Sequence, residues 1–223
     1  KGSMNKVKYL LTYRYSEIIH DLTIEFTKIY ILGHLSILSN LSNLKGRPDY
    51  RQADQMNQAA RSGKQNIVEG VGQSATSKKG EIKLLGVALA SFEELLTDFE
   101  DFLRQNNFAI YPKTDPKVTV FRRTAYRLSD LSNLSDLGNL IEKPKLPGNP
   151  QDAANFLLTL CHQITYLLDK QIKAAEEKFI QEGGFTENLF LARLKALREP
   201  CSLRRPKRLT VSLGGKKRLL RRI

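Results

Sequence analysis

Apolar residues recur at helical spacing in four long segments of the chain. Spacings of three and four residues place them on one face of a helix, and no segment alternates apolar and polar residues as a half-buried strand would. The pattern predicts helices over Tyr9–Leu32, Arg51–Val71, Ser77–Gln105 and Pro150–Gln181, and a shorter one over Thr186–Arg198. Four long amphipathic helices joined by loops are typical of an all-α fold, an antiparallel four-helix bundle, here with a short extra C-terminal helix.

The apolar faces of these helices differ in the size of their side chains. The second helix has small residues, which let a neighbouring backbone approach closely, so we expect it to be central. Thr76 or Ser77 is placed to cap the third helix, and Gly183-Gly184 to end the fourth in a left-handed conformation. The small residues are Ala53, Ala59, Ala60 and Gly63; the face predicted for the first helix comprises Leu11, Tyr15, Ile18, Ile19, Leu22, Phe26 and Ile29.

Two tracts rich in Leu, Ser and Asn interrupt the helical pattern, at Leu35–Leu44 and Leu128–Leu140. Leucine at every third residue drifts around a helix, and Ser and Asn favour turns because they bond to nearby backbone. We interpret them as low-complexity inserts near 35–45 and 128–140, with a leucine-rich partner surface as the alternative. Prolines mark the third connection as irregular, although Val118–Leu128 could form a short basic helix.

Most of the positive charge lies at the C-terminal end. The chain has 36 Lys and Arg against 23 Asp and Glu, a net charge of +13, and the 24 residues Pro200–Ile223 hold nine of the basic residues and no acidic one. Such a block repels itself and gains by displacing counterions from a polyanion. We predict a basic, disordered tail over 199–223 that binds nucleic acid; a solvated terminus that aids solubility is the alternative. The basic residues are Arg204, Arg205, Lys207, Arg208, Lys216, Lys217, Arg218, Arg221 and Arg222.

Smaller basic groups lie on the predicted helices. Each alone is ordinary helix surface, and only their convergence on one face would make a binding site. Phe121 and Tyr126, in the segment FRRTAYR, are available to stack on bases or to pack inward. Because no base-reading motif occurs, we expect contacts to the nucleic-acid backbone. The predicted nucleic-acid-binding residues of the helical part are Arg61, Lys64, Lys78, Lys79, Lys83, Arg122, Arg123 and Arg127.

The chain offers little catalytic chemistry. Its histidines lack a second ligand type at metal-binding spacing, so we expect no metal site and no cofactor. Neighbouring residues on a helix point about 100° apart, which excludes Cys161-His162 as a nucleophile–base pair and favours Cys161 as a core residue. The glycines near Gly70 lack the strand and the Lys-Ser/Thr of a phosphate loop. We predict no catalytic residue and no enzyme. An acidic cluster is interpreted as the water-facing side of the third helix: Glu93, Glu94, Asp98, Glu100 and Asp101.

Targeting features are sparse. The two cysteines lie in different settings and make no disulfide framework, which favours a reducing cytoplasm. The longest apolar stretch, Ile29–Leu44, is broken by Gly33 and several polar residues, so we expect no membrane span. Gly2-Ser3 resembles a tag remnant with Met4 as the native start, and residues 1–8 are predicted to be an N-terminal lead.

The second and third helices resemble a known family. The strings DQMNQAARSGKQNIVEG and TSKKGEIKLLGVALASFEELLTDFEDFLRQ are similar to the four-helix bundle family named for proteins encoded in intervening sequences of bacterial 23S ribosomal RNA. The later LTLCHQITYLLDKQ and EKFIQEGGFTENLFLARLKALR resemble its variant with a four-helix-bundle suffix. The resemblance covers about Tyr9–Arg198, with its central motif over Ala60–Gly70, and excludes both Leu-Ser-Asn tracts and the basic tail.

This family includes the accessory protein of diversity-generating retroelements. The resemblance implies a small bundle that assembles as a five-subunit ring with a basic surface or channel, and that binds nucleic acid and a partner reverse transcriptase. No active site is known for the family. We therefore predict that residues 9–198 form a non-enzymatic, homo-oligomeric accessory factor for RNA or a reverse transcriptase. The alternative is a protein-interaction scaffold with no direct nucleic-acid role.

Overall fold

The chain is all-α in the computed structural model, which describes residues 7–33, 49–135 and 138–198. Thr27–Ile31 extends the first helix as a π-helical segment, and Leu131–Asn133 forms a 3-10 turn. No β-strand occurs within these ranges. The helices are α1 (Leu11–Phe26), α2 (Tyr50–Gln73), α3 (Lys78–Gln105), α4 (Pro116–Ser129), α5 (Pro150–Glu182) and α6 (Phe185–Arg198).

The four long helices α1, α2, α3 and α5 pack in a ring. α1 contacts α2 and α5, and α3 also contacts α2 and α5. α1 and α2 run in opposite directions: Thr27, after the end of α1, lies 3.1 Å from Asn57 near the start of α2, whereas His20 lies 3.2 Å from Lys64, further along α2. α4 lies outside the ring and packs against α5 and α1.

The core lies inside the ring and is rich in phenylalanine. Phe26 of α1 meets Phe99 and Phe102 of α3 edge to face, with ring centroids 5.2 and 4.9 Å apart, a favourable aromatic geometry. The predicted apolar face of α1 is buried from Tyr15 to Phe26. The prediction is wrong for Leu11, whose side chain is 39 % exposed. Leu11 is the first residue of α1, and periodicity does not show where the neighbouring helices end.

The small residues of α2 allow a close approach to α3, as the sequence predicts. Gly63 is buried, and a Cβ atom built on it would lie 2.5 Å from a carbon of the Phe92 ring. A Cβ atom on Gly70 would lie 3.3 Å from the carbonyl oxygen of Glu81. The Phe92 side chain of α3 therefore packs directly on the backbone of α2. α2 occupies one position among the four helices of the bundle ring and does not lie at its centre.

Polar side chains and a glycine set the ends of the helices. Ser77, not Thr76, caps α3 by accepting a hydrogen bond of 3.0 Å from the Gly80 amide. Asn149 caps α5 in the same way, through the Gln151 amide. Gly183 ends α5 as predicted, with a positive φ of 71° that favours glycine. Its ψ of −179° differs from that of the left-handed cap that the sequence predicts there.

The second Leu-Ser-Asn tract forms turns after the end of α4. Asp130 accepts hydrogen bonds from the Ser132 amide and hydroxyl at 2.8 and 2.9 Å, and Asn133 donates to the Leu128 carbonyl at 2.8 Å. This confirms that its polar side chains compete for backbone bonds. Residues 136–137 and the first tract, Leu35–Leu44, lie outside the described residues.

The chain divides into two compact units, one that ends at Phe185 and one that begins at Thr186. The ring and α4 belong to the first unit, and α6 belongs almost wholly to the second. No described helix is long and apolar enough to cross a membrane. The predicted lead before residue 7 and the predicted basic tail over 199–223 lie outside the described residues.

Candidate nucleic-acid interface

The basic residues predicted on the helical part all lie on helix surfaces, but three of the eight have partners. Lys64 Nζ lies 3.2 Å from His20 Nδ1 on α1. Lys78 Nζ lies 3.1 Å from a carboxylate oxygen of Glu81, one turn along α3. Arg127 forms an ion pair with Glu142. Their charges are partly satisfied within the protein.

The other five basic residues are exposed and have no ion-pair or hydrogen-bond partner among the residues that the structure describes. A charged group surrounded only by water can exchange that water and its counterions for a phosphate. These five side chains are therefore the free cations of the predicted set. They are Arg61 on α2, Lys79 and Lys83 on α3, and Arg122 and Arg123 on α4.

The ring arrangement separates these free cations into different places. α4 packs against α1 and α5, whereas α2 and α3 pack against each other on the other side of the ring. Arg122 and Arg123 thus lie on one side, and Lys79 and Lys83 lie on the other. The structure brings together neighbours on the same helix but does not gather the whole set onto one face.

A groove between α1 and α2 contains Arg61 but has mixed charge. It has a volume of about 630 Å³, and His20, Asp54 and Gln58 also line it. Beyond it, burial and the charge of Asp21 raise the pKa of Glu17, while Lys64 lowers it. Asp54 on α2 and Glu17 and Asp21 on α1 offset the positive charges of Arg61 and Lys64. This groove is therefore a poor anion site. The spacing of Arg61 and Lys64 on α2 could not show what α1 places opposite them.

α4 turns its apolar face inward and its arginines outward. The ring centroids of Phe121 and Phe156 of α5 lie 5.2 Å apart, while Ala125 and Leu128 are fully buried. Tyr126, in contrast, is 68 % exposed. Of the two aromatic residues that the sequence left open, Phe121 therefore packs inward and Tyr126 is available to a ligand.

A polar cluster fixes the amino end of α4 on α5. Lys117 Nζ lies 2.8 Å from Asp152 Oδ1, and the Tyr111 hydroxyl donates to the same carboxylate. Burial alone would raise the pKa of Asp152, but the hydrogen bonds from Lys117 and Tyr111 outweigh it and lower that pKa. Tyr111 is held further by its amide, which donates to Asn155 at 2.8 Å. The position of α4 is thus set by polar as well as apolar contacts.

The charge around the amino half of α4 is positive. Burial lowers the pKa of His162 on α5, and the nearby charges of Lys113 and Arg122 lower it further, while Glu100 acts in the opposite sense. Lys113 is exposed, like Arg122. This side of the protein therefore carries the cations Lys113, Arg122 and Arg123, together with the carboxylates of Glu100, Asp115 and Asp152.

Arg14 is a buried basic residue that the sequence analysis missed. It is 6 % exposed, and its Nε and Nη1 atoms have no hydrogen-bond partner among the described residues. Burial lowers its pKa, whereas the charge of Asp130 raises it. An arginine covered by protein is expensive to keep charged, and Asp130 offsets that cost. Because it is covered, Arg14 does not belong to the outer basic surface.

The residues considered for catalysis lie mostly where the sequence predicts. Cys161 is fully buried in the core, and burial raises the pKa of its thiol. Glu93 and Glu94 are exposed to water. Asp98 departs from the prediction: its Oδ2 atom is buried and has no hydrogen-bond partner among the described residues. Burial, with the charges of Glu94 and Asp101, raises the pKa of Asp98 to about 6.

Asp98→Asn is expected to stabilise the protein at alkaline pH. The folded-state pKa of Asp98 lies above its ordinary value of 3.8, so the folded protein disfavours the ionised form. The stability that the wild-type protein has with Asp98 protonated is therefore fully present below the ordinary pKa of 3.8. It is lost as the pH rises through about 6. Because the Asp98 side chain is partly exposed, we expect Asp98→Asn to raise the free energy of unfolding by only about 1–2 kcal/mol near pH 8. We expect little change near pH 4. Urea denaturation at both pH values measures it.

A matched control for this change is Asp169→Asn. Asp169 lies on α5, and its exposed carboxylate pairs with Lys173 at 2.7 Å. Exposed pairs of this kind contribute about 0.2–1 kcal/mol, so the control should be slightly destabilising near pH 8. Equal effects of the two substitutions at both pH values would show that the burial of Asp98 does not control its ionisation.

Among the described residues, no group of three His, Cys, Asp or Glu side chains is placed to hold a metal ion. Comparison of the chain with models of protein families, with curated proteins and with solved structures finds no match. The resemblance to the 23S intervening-sequence family therefore stays a prediction.

Proposed function

We propose that this protein is a non-enzymatic nucleic-acid-binding protein that contacts phosphates through lysine and arginine. The observation that carries the proposal is that five of the eight basic side chains predicted on the helices are exposed and have no partner among the described residues. The C-terminal segment Pro200–Ile223, with nine basic residues and no acidic one, supplies the larger part of the charge. The helical body is the support, and the tail is the main anion-binding arm.

The proposed architecture is an antiparallel four-helix bundle. The ring of α1, α2, α3 and α5, with opposed directions of α1 and α2, supports it. The resemblance of Tyr9–Arg198 to the intervening-sequence family supports an oligomeric accessory factor of the diversity-generating retroelement type, a five-subunit ring that works with RNA or with a reverse transcriptase in the cytoplasm. No reaction is assigned to the protein itself.

Binding of this kind works by release of counterions. Each lysine or arginine that neutralises a phosphate frees a condensed cation, so the association constant falls as salt is added. Contacts to phosphates fix the position of the strand but do not read its sequence. We expect affinity for many sequences, with differences that depend on strand type.

The salt dependence of binding tests the proposal directly. If the tail neutralises about nine phosphates, the logarithm of the association constant should fall with the logarithm of salt concentration with a slope of about −6 to −8. Fluorescence polarisation with labelled RNA and DNA oligonucleotides over a salt series measures this slope. A flat response, or no binding to either nucleic acid in dilute buffer, would remove the mechanism.

A protein-interaction scaffold is the second candidate, and α6 favours it. This helix exposes large apolar side chains, which on a monomeric protein often mark a surface for another protein. The scaffold would give a partner that stays bound in a pull-down after nuclease treatment and at high salt. The exposed apolar residues are Phe185, Leu189, Phe190, Leu191 and Leu197.

A further inference from the structure

The outer face of α4 carries an exposed aromatic ring beside two free arginines. Tyr126 is 68 % exposed, and Arg122 and Arg123 precede it by four and three residues. Side chains at these spacings share one helix face, with Cβ atoms about 5–6 Å apart. Neither arginine has an ion-pair or hydrogen-bond partner within residues 7–33, 49–135 and 138–198. We call Arg122, Arg123 and Tyr126 the α4 platform.

The opposite face of α4 holds this platform in place. Phe121 packs on Phe156, and Ala125 is fully buried, so the helix cannot rotate without exposing apolar surface. The ion pair of Lys117 with Asp152 fixes the start of the helix. The Tyr126 ring is therefore presented to solvent by a supported helix, which lowers the entropy lost when a ligand binds to it.

Tyr9, Tyr50 and Tyr166 are also exposed among the described residues. Tyr166, on α5, is 62 % exposed, but Lys170 Nζ lies 5.6 Å from the centre of its ring, so a cation of the protein already covers one face. Lys117 covers Tyr111 in the same way at 5.1 Å. No such cation–π contact is found at Tyr126 in the described part of the chain, and its ring face is open.

We infer that the α4 platform binds single-stranded nucleic acid, with one base stacked on Tyr126 and neighbouring phosphates bound by Arg122 and Arg123. This inference rests on the proposed function and adds the class of nucleic acid to it. Both strand types carry phosphates, so an open aromatic ring distinguishes them more sharply than phosphate contacts do. Bases in a duplex stack on one another, whereas an unpaired base offers its face to a side chain.

The positive charge around the platform favours the same ligand. Arg122 and Arg123 lie on the same outer face as the exposed ring, while Arg127 is paired with Glu142. Neither Arg122 nor Arg123 has an ion-pair partner among the described residues. An apolar protein surface would have to desolvate these charges, whereas a nucleotide strand supplies both a ring face and anions.

A fluorescent substitution can detect the stacking directly. The chain contains no tryptophan, so Tyr126→Trp gives a single reporter in the full-length protein. We expect its fluorescence to be quenched by a single-stranded oligouridylate and to change little with an RNA duplex of the same length. Tyr166→Trp is the matched control, because its ring lies on α5 beside Lys170, and it should respond weakly to both.

Binding measurements separate the ring from the arginines. Tyr126→Ala is expected to weaken single-strand binding about 5- to 100-fold at every salt concentration, with the slope unchanged, because stacking releases no counterions. Tyr126→Phe should keep the affinity. Arg122→Gln and Arg123→Gln should each make the slope less steep by about 0.7. All these side chains are exposed, so circular dichroism should show unchanged thermal unfolding.

The outcomes distinguish this inference from the proposed function. Steep salt-dependent binding by the wild type, with no quenching in Tyr126→Trp and wild-type affinity in Tyr126→Ala, overturns the α4 platform and leaves the proposed function standing. Equal quenching by duplex and single strand overturns the single-strand assignment. Failure of the wild type to bind any oligonucleotide in dilute buffer overturns both.

Discussion

Deletion of Pro200–Ile223 should remove most of the salt dependence of nucleic-acid binding. A protein that makes 6–10 phosphate contacts loses about 10³- to 10⁵-fold in affinity between 50 and 200 mM salt, and the tail brings nine basic residues to this count. The truncated chain keeps the five free cations of the predicted set on its described helices. If these five are its phosphate contacts, its affinity should fall only about 100-fold over the same range, with a slope of about −3.5. Polarisation titrations of both proteins on the same oligonucleotide measure this difference.

Two full-length variants separate the charge of the tail from its apolar residues. Replacement of all nine basic residues by glutamine should reproduce the deletion. Replacement of the tail's leucines, valine and isoleucine by serine, with the basic residues kept, should leave the slope unchanged, because counterion release depends on charge. If the deletion leaves the slope as steep as in the wild type, the main binding surface lies on the helices and not on the tail.

Gly63→Leu is expected to destabilise the folded protein by about 3 kcal/mol, because added atoms would overlap the Phe92 ring. Even the first added carbon would lie 2.5 Å from that ring, and Phe92 is fully buried in the core. Leucine favours a helix interior over glycine by nearly 1 kcal/mol, so the overlap must exceed this gain. Urea denaturation, with the free energy of unfolding extrapolated to water, measures the loss.

Gly86→Ala is the matched control on α3. A Cβ atom there would meet no other atom within 4 Å, so only the helix preference acts and the protein should gain about 0.5–1 kcal/mol. Phe92→Leu, combined with Gly63→Leu, should cost less than the sum of the two single changes, since both act on the same space. An unchanged free energy of unfolding in Gly63→Leu would mean that α2 and α3 separate without cost.

The helices could be predicted from the sequence almost to their ends. Each observed boundary of α2, α3 and α5 lies within two residues of the prediction, since apolar periodicity and capping residues such as Ser77 are local properties. The π-helical segment Thr27–Ile31 was not predicted, because consecutive apolar residues there fit several helix types. The exposure of Leu11 was missed because it depends on where other helices end.

The partners of the basic residues were harder to predict from the sequence than the helix boundaries were. Lys78 and Glu81 lie three apart on one helix, so their ion pair could have been predicted from spacing. Lys64 meets His20 across 44 residues of sequence, and that contact follows only from the packing of α2 on α1. The outward orientation of Tyr126 could have been predicted from the sequence. Phe121, Ala125 and Leu128 follow helical spacing, which leaves Tyr126 on the opposite face of α4.

The attachment of α4 outside the ring allows the scaffold and the surface to evolve separately. Its inward residues anchor it to α1 and α5, while the side chains that face solvent contribute nothing to the apolar core. Substitutions on that outer side can change charge or aromatic content without penalty to the four helices beneath. Natural selection can therefore vary this surface as freely as an exposed loop, while the segment keeps the rigidity of a helix.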